Sequence, residues 1–329
     1  MMELSNNSEH TASPPSALAM ETAGGSTRSP FVLDNSDAYT KWRTWKLDQF
    51  AALKNSIPVL IKNPSALTLT ERSALLRCLR ATNMVVYRCA NDGISKQDLR
   101  LLAMQLGLNR LDGHRYADDD RIACIQASEE PMRQRYIPYT TKAIKWHTDG
   151  YYNPPERTIR AFILHCIQPA QAGGENVVLD PELVYIHLRE HSPDLLQALF
   201  DPTAMSIPAN CENGELIRGQ QTGPVFSIDT ASGSLHMRYT ARLTNIDWHE
   251  RAPVQEALAA LKRSIDECRI YSVQHKLQAG QGILCNNVLH GRNAFEDHNE
   301  FESKRLLYRA RFYDRVIGTG IADCPALTN

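Results

Sequence analysis

The sequence predicts an α+β fold, with a sandwich or jelly-roll core and helices packed on its outside. Two observations predict it. Helical patterning dominates the first part of the chain, and short apolar runs separated by polar turns dominate the remainder. A length of 329 residues with an apolar fraction of 43% is enough for one large core. No repeat or linker divides the chain, so residues 31–329 are expected to form a single domain.

Residues 1–30 are rich in Ser, Asn, Thr, Ala and Gly and lack periodicity, which predicts a disordered tail. Order is expected to begin near Pro30-Phe31-Val32-Leu33. A helix is predicted over Asp37–Lys54, carrying Trp42, Trp45 and Phe50, then a short strand over Ile57–Ile61. Thr68-Leu-Thr-Glu71 reads as a capping box that opens a helix reaching about Arg80. Asn83–Cys89 is strand-like. Ser95–Leu106 is helical, with Leu99, Leu102 and Leu106 on one face. From Arg121 to Ile167 the pattern becomes short strands. Two later helices are expected, Glu182–Glu190 and Val254–Arg269. The chain closes with a strand over Gly282–Val288, a polar loop and a strand over Arg305–Tyr313.

Composition excludes several classes. The 36 basic and 37 acidic residues leave a net charge of -1, against a chain-wide nucleic-acid footprint. No apolar run approaches the roughly 18 residues that span a bilayer, and a secretory leader is not expected. The eight cysteines form no CxxC pair and read as reduced thiols of a cytoplasmic protein. Neither GxxxxGK[ST] nor GxSxG occurs. The expected partner is a small molecule. A homo-oligomer is compatible with the sequence, and nothing in it specifies one.

The chemistry gathers around Lys145-Trp146-His147-Thr148-Asp149-Gly150. On a strand, His147 and Asp149 point to one side and can hold the same ion. Asn287-Val-Leu-His290-Gly-Arg292 offers a third ligand, with Asn287 and Arg292 placed to orient His290. Two imidazoles and one carboxylate on one face of a metal leave other positions open, the arrangement of non-haem Fe(II) oxygenases. If the closing strand alternates, Arg305, Leu307, Arg309 and Arg311 share a face, which suits a pocket wall that binds anions.

Taken in order, these segments resemble the TauD/TfdA family of Fe(II)- and 2-oxoglutarate-dependent dioxygenases. The resemblance runs from about Tyr139 to Asp314. It rests on the His147/Asp149 pair, Pro154-Pro155, Gly173-Gly174-Glu175-Asn176, the His290 segment and Arg305-Leu-Leu-Tyr-Arg309. It implies a double-stranded β-helix (jelly roll) with iron bound by His147, Asp149 and His290. Arg305 would bind 2-oxoglutarate, helped by Asn176 where the family usually has Thr or Ser. Arg309 would meet an acidic group of the substrate. The implied reaction uses O2 and 2-oxoglutarate to oxidise a substrate C–H bond, releasing succinate and CO2. Asp149 stands where halogenases of this class carry a small residue, so halogenation is not expected. With Arg311, Arg309 favours a small anionic or zwitterionic substrate.

Tyr139-Thr-Thr and Leu164-His-Cys-Ile167 look like the γ-butyrobetaine hydroxylase branch, in which Tyr139, with Tyr151 and Tyr152, would cage a trimethylammonium group. Two readings compete with oxygenase activity. His187-Leu-Arg-Glu190-His191 matches the inverted zincin pattern HxxEH of zinc hydrolases. A catalytically silent binding protein on the same scaffold is the other, and the intact triad argues against it.

Overall fold

The computed structural model describes residues 29–53, 56–113, 118–212, 214–242, 246–297 and 303–328. Residues 1–28 of the expected tail lie outside the described residues. Ser29 is already buried, and its hydroxyl donates to the Gly233 carbonyl at 2.7 Å.

Helix α1 (Ser36–Leu53) buries Tyr39, Trp42 and Phe50. It also buries Lys46 completely, with Nζ 2.6 Å from Asp180 and 2.5 Å from Glu182. A buried ammonium is tolerated only with such partners. Helix α2 (Leu69–Thr82) starts with the expected box: Thr68 Oγ1 accepts from the Glu71 amide at 3.2 Å, and the Glu71 carboxylate accepts from the Thr68 amide at 2.7 Å. Ser95 and Asp98 repeat the device at α3 (Lys96–Met104). Helix α4 (Pro181–His191) is capped by Asp180 and followed at once by α5 (Pro193–Leu199). The sequence does not predict α5. It is too short to display a helical period, and Pro193 reads as a stop as readily as a first helical residue. Helix α6 (Ala252–Glu267) starts and ends two residues earlier than expected.

Ten strands frame the site. They are β1 (Val59–Ile61), β2 (Met84–Cys89), β3 (Ala123–Ile125), β4 (Ile144–His147) and β5 (Ala161–Gln168), then β6 (Asn176–Leu179), β7 (Val273–His275), β8 (Gln281–Cys285), β9 (Leu289–Arg292) and β10 (Leu306–Phe312). One sheet has the order β1-β2-β8-β5-β10-β3, the other β7-β6-β9-β4. All neighbours are antiparallel except β1 and β2.

A shared core takes Phe162, Cys166, Ile283 and Leu307 from the larger sheet and Val178 from the smaller. The outer face of the larger sheet packs Ile163, Leu284, Ala310 and Phe312 against Leu75 and Leu79 of α2 and Leu99 and Leu102 of α3. Leu179 and Leu289 of the smaller sheet pack with α1, α4 and α6. Two facing sheets with helices on both outsides are the expected α+β arrangement. No helix among the described residues is long and apolar enough to cross a membrane.

One expected strand is two. The apolar run over Gly282–Val288 predicts a continuous strand, but the chain breaks at Asn286-Asn287, and Asn287 adopts φ 46°. Asn tolerates the left-handed conformation better than most residues. The turn passes the chain from the larger sheet to the smaller one, so His290 lies inside β9 rather than at the end of β8.

Candidate active site

Strands β4 and β9 pair antiparallel, with His147 directly opposite His290. Their ring centroids are 4.1 Å apart. Asp149 is not on the strand with His147, as expected, but in the turn beyond it, where Gly150 has φ 68°. A Cβ at Gly150 would lie 2.5 Å from Ile159 Cγ1, so the turn requires glycine. The turn returns the carboxylate to the histidines, and ligand atoms of His147, Asp149 and His290 all lie within 4.8 Å of one another. No other group of three ligating side chains does so among the described residues.

Each member is aimed by its surroundings. His147 Nδ1 is 2.9 Å from the Lys145 carbonyl and His290 Nδ1 is 2.9 Å from the Val288 carbonyl, which leaves Nε2 of each ring for a ligand. Asn287 holds the Asp149 turn rather than His290. Its Oδ1 accepts from the Asp149 amide at 2.8 Å, and its Nδ2 donates to the carbonyls of Asp149 at 3.0 Å and Ile159 at 2.7 Å. Arg292 donates to the carbonyls of Thr140 and Lys142, fixing the approach to β4.

The charge states suit a cation. Burial, reinforced by the other imidazole, pushes His147 down to about 3, and burial also lowers His290. Both rings are therefore neutral near neutral pH. Burial alone would raise Asp149, but Arg309 and Arg311 outweigh it and hold the carboxyl well below its usual range. Asp149 Oδ2 is buried without a hydrogen-bond partner. Two neutral imidazoles and an ionised carboxylate with an unused oxygen fit a divalent transition metal.

The arginines of β10 divide by role. Leu307 faces the inter-sheet core, while Tyr308, Ala310 and Phe312 face α2 and α3. The inner face is thus Leu307, Arg309 and Arg311. Arg305 precedes the strand and an irregularity in its pairing with β5 at Leu306/Leu307, yet it is buried, with its guanidinium 5.0 Å from the Phe295 ring centre. A Cβ at Gly174 would lie 3.5 Å from Arg305 Nε. Asn176, at the start of β6, is buried, and its Nδ2 lacks a partner.

Arg311 is already committed. It pairs with buried Asp112, donates to the Tyr152 hydroxyl at 2.9 Å and lies 3.8 Å from Asp149 Oδ1. It is a strut of the site, not a group waiting for substrate. Nothing in the sequence points to Asp112, which meets Arg311 across a separation of 199 residues.

The three tyrosines separate. Tyr151 and Tyr152 stand edge to face, with centroids 5.1 Å apart, beside the Asp149 turn. Tyr139 is buried in the inter-sheet core, with the Arg133 guanidinium 5.6 Å from its ring centre. Arg309, Arg133 and Arg311 all act on its hydroxyl. A wall so rich in guanidinium groups repels a trimethylammonium ion.

The competing zinc site is not assembled. His187 and His191 stack at 4.2 Å on α4, but His187 Nδ1 is 2.9 Å from Ser264 Oγ and Nε2 is 2.8 Å from Glu267. His191 Nδ1 is 2.9 Å from the His187 carbonyl in its own helix.

The model of the taurine catabolism dioxygenase TauD, TfdA family matches residues 51–311. The chain belongs to the TauD/TfdA family. Members of this family are Fe(II)- and 2-oxoglutarate-dependent dioxygenases, and the enzyme class and cofactors expected from the sequence stand. The family match extends well into the N-terminal third, which the motif resemblance does not reach.

A uridine-5'-phosphate dioxygenase of Amycolatopsis sp is 31% identical over 178 residues, covering 53% of this chain and 62% of that protein. The match therefore spans less than two thirds of that relative. A uridine-5'-phosphate dioxygenase of Streptomyces sp is 26% identical over 201 residues, covering 59% of this chain and 70% of that protein. Among solved structures, asparagine oxygenase in complex with Fe(II), hydroxyasparagine and succinate has a TM-score of 0.54 at 17% identity, covering 85% of this chain and 92% of that one. The non-heme iron oxygenase OrfP, in complex with Fe and alpha-ketoglutaric acid, has a TM-score of 0.55 at 16% identity, covering 83% and 90%. These two share the fold.

Proposed function

We propose that this TauD/TfdA member oxidises a C–H bond of a small anionic substrate, with a phosphorylated nucleoside the first class to test. In this reading the two sheets form a double-stranded β-helix. His147, Asp149 and His290 hold Fe(II), Arg305 and Asn176 hold 2-oxoglutarate, and Arg309 faces the substrate. The observation that carries it is the partly buried His147–Asp149–His290 cluster, with neutral rings, an ionised carboxylate and one unused carboxylate oxygen.

Bound iron supplies oxidation by O2 coupled to decarboxylation of 2-oxoglutarate. The chain's own residues prepare the site for it. Lys145 and Val288 carbonyls fix the imidazole orientations, and Asn287 fixes the Asp149 turn. The planar Arg305 fork suits a carboxylate, and Asn176 Nδ2 is a buried donor awaiting an acceptor. Arg309 makes the inner face of β10 favourable to anions, while the Arg311–Asp112 pair braces it. Tyr139 acts in packing rather than as a cation cage. The names of the two bacterial relatives direct the substrate choice towards uridine 5'-phosphate.

The test is an anaerobic titration of Fe(II)-loaded protein with 2-oxoglutarate, following the weak visible charge-transfer band of the chelate. We expect a band in the wild type and none in His147→Ala. Arg305→Ala is expected to need at least about tenfold more 2-oxoglutarate, the loss of one charge-assisted contact. Succinate release with uridine 5'-phosphate, amino acids and sulfonates then ranks substrates. A folded wild type without a band overturns the assignment.

A further inference from the structure

Beside the Asp149 turn, one wall of the site carries positive charge that no described carboxylate neutralises. Arg218, which ends the Glu215–Arg218 strand, is half-buried. Among the described residues it donates only to the carbonyls of Gly219 and Pro208, at 3.0 and 2.7 Å. Arg238 is also half-buried and donates to the carbonyls of Tyr151, Gln221, Met205 and Gly223, at 2.7, 2.9, 3.0 and 3.3 Å. Burial, reinforced by the charge of Arg218, pushes Arg238 down to about 10. Half-buried Arg160 and buried Arg311, by contrast, pair with the carboxylates of Asp229 and Asp112. Two neighbouring guanidinium groups without a counter-ion are costly in a folded protein unless an anion joins them.

Two links tie this wall to the metal centre. The Arg218 guanidinium lies 5.9 Å from the Tyr152 ring centre, and the Tyr152 hydroxyl accepts from Arg311, which borders Asp149. Thr240 bridges to His147 and is hydrogen-bonded to Tyr151. Arg242, exposed, lies two residues beyond Thr240 on the same segment, and its amide donates to Thr240 Oγ1 at 3.4 Å.

We propose that Arg218, beside Tyr152, and Arg242, just beyond Thr240, form a phosphate subsite for a nucleoside monophosphate, with Arg238 as a fixed charge behind it. The inference rests on the oxygenase reading above and gives its substrate a place to put its phosphate. Arg238 has spent most of its donors on carbonyls, so it contributes charge rather than contact. Arg218 keeps unused N–H groups, and Arg242 is accessible. A phosphate monoester carries about -1.5 to -2 at neutral pH and several strong acceptors, which matches two arginines better than a single carboxylate does.

The test compares uridine 5'-phosphate with uridine by calorimetry on the full chain loaded anaerobically with Fe(II) and 2-oxoglutarate. The chelate band is recorded in the same samples. We expect the wild type to favour the phosphorylated ligand by at least about tenfold. The Arg218→Gln/Arg242→Gln variant should lose most of that preference with uridine binding and the band unchanged, and Arg218→Lys/Arg242→Lys should keep part of it. A wild type that binds both ligands alike, or a Gln variant that keeps its preference, overturns the subsite while the band leaves the oxygenase reading standing. Absence of the band overturns both.

Discussion

Asn287→Gly isolates the clamp on Asp149. Glycine accepts φ 46° without steric cost, so the backbone turn survives while three hydrogen bonds disappear. The Asp149 amide and the carbonyls of Asp149 and Ile159 stay in a buried setting. At about 1 kcal/mol net each, the loss is about 3 kcal/mol. Glycine adds about 0.5–1 kcal/mol through the freedom of the unfolded chain. For a domain of this size that corresponds to a fall in Tm of about 7–8 °C, at about 2 °C per kcal/mol. Asn287→Ala keeps the hydrogen-bond loss and adds about 1 kcal/mol for a left-handed alanine. Because Asp149 is aimed by this clamp, Fe(II) affinity should also fall by about ten- to hundredfold, the usual effect of removing a group that orients a ligand. Differential scanning calorimetry of the apo-protein and anaerobic Fe(II) titration read the two effects. A Gly variant within about 2 °C and twofold of the wild type would refute the reasoning.

Three further outcomes rest on the same geometry. Arg311→Met leaves Asp112 buried beside Tyr313 without its main counter-charge and should cost about 3–5 kcal/mol in urea unfolding, with Arg311→Met/Asp112→Asn recovering part of it. Fully buried His165 bonds to the Tyr87 hydroxyl at 3.1 Å, and burial pushes its pKa down to about 4. The unfolded chain, with an ordinary pKa near 6.5, binds that proton first, so this residue's contribution is complete above pH about 6.5 and is lost towards pH about 4, at about 1.4 kcal/mol per pH unit. His165→Gln should flatten the stability profile in that window, and an unchanged slope would refute the assignment. Strand β4 is the edge of the smaller sheet and meets β9 across a register shift, with one histidine of the proposed metal site on each strand. Loading the apo-protein with Fe(II) should therefore slow hydrogen exchange at residues 144–147, and equal exchange in the two forms would count against metal bridging of this strand pair.

Much of this arrangement is legible in the sequence because it is local. The Thr68/Glu71 box, the helical faces of α2 and α3, and the alternation along β10 each depend on residues within a few positions. The triad is legible because His147 and Asp149 are near neighbours and His290 ends an apolar run, a pattern the family resemblance makes specific. The features that escape are long-range or hang on a single dihedral. The break at Asn286-Asn287 turns on one left-handed residue inside an otherwise strand-like run. Asp112 meets Arg311 only after the sheet forms, so Arg311 looks available for substrate in the sequence although it is paired in the fold. Arg218 and Arg238 carry no local pattern, and the absence of a carboxylate partner among the described residues emerges only from the folded chain.

The two faces of β10 limit which changes the chain can absorb. Tyr308, Ala310 and Phe312 belong to the layer under the helices, while Leu307, Arg309 and Arg311 face the opposite way. Deleting or inserting one residue inside this strand would exchange the two sets, sending guanidinium groups into an apolar layer and aromatic rings towards the His147–Asp149–His290 cluster. Upstream, Phe295 and Glu296 pair with Gly173 and Ala172, so the chain is anchored on both sides of Arg305. Changes in chain length are therefore barred within the strand. A library that tests the proposed role of Arg309 should diversify that position while leaving the spacing of Leu307, Arg309 and Arg311 untouched.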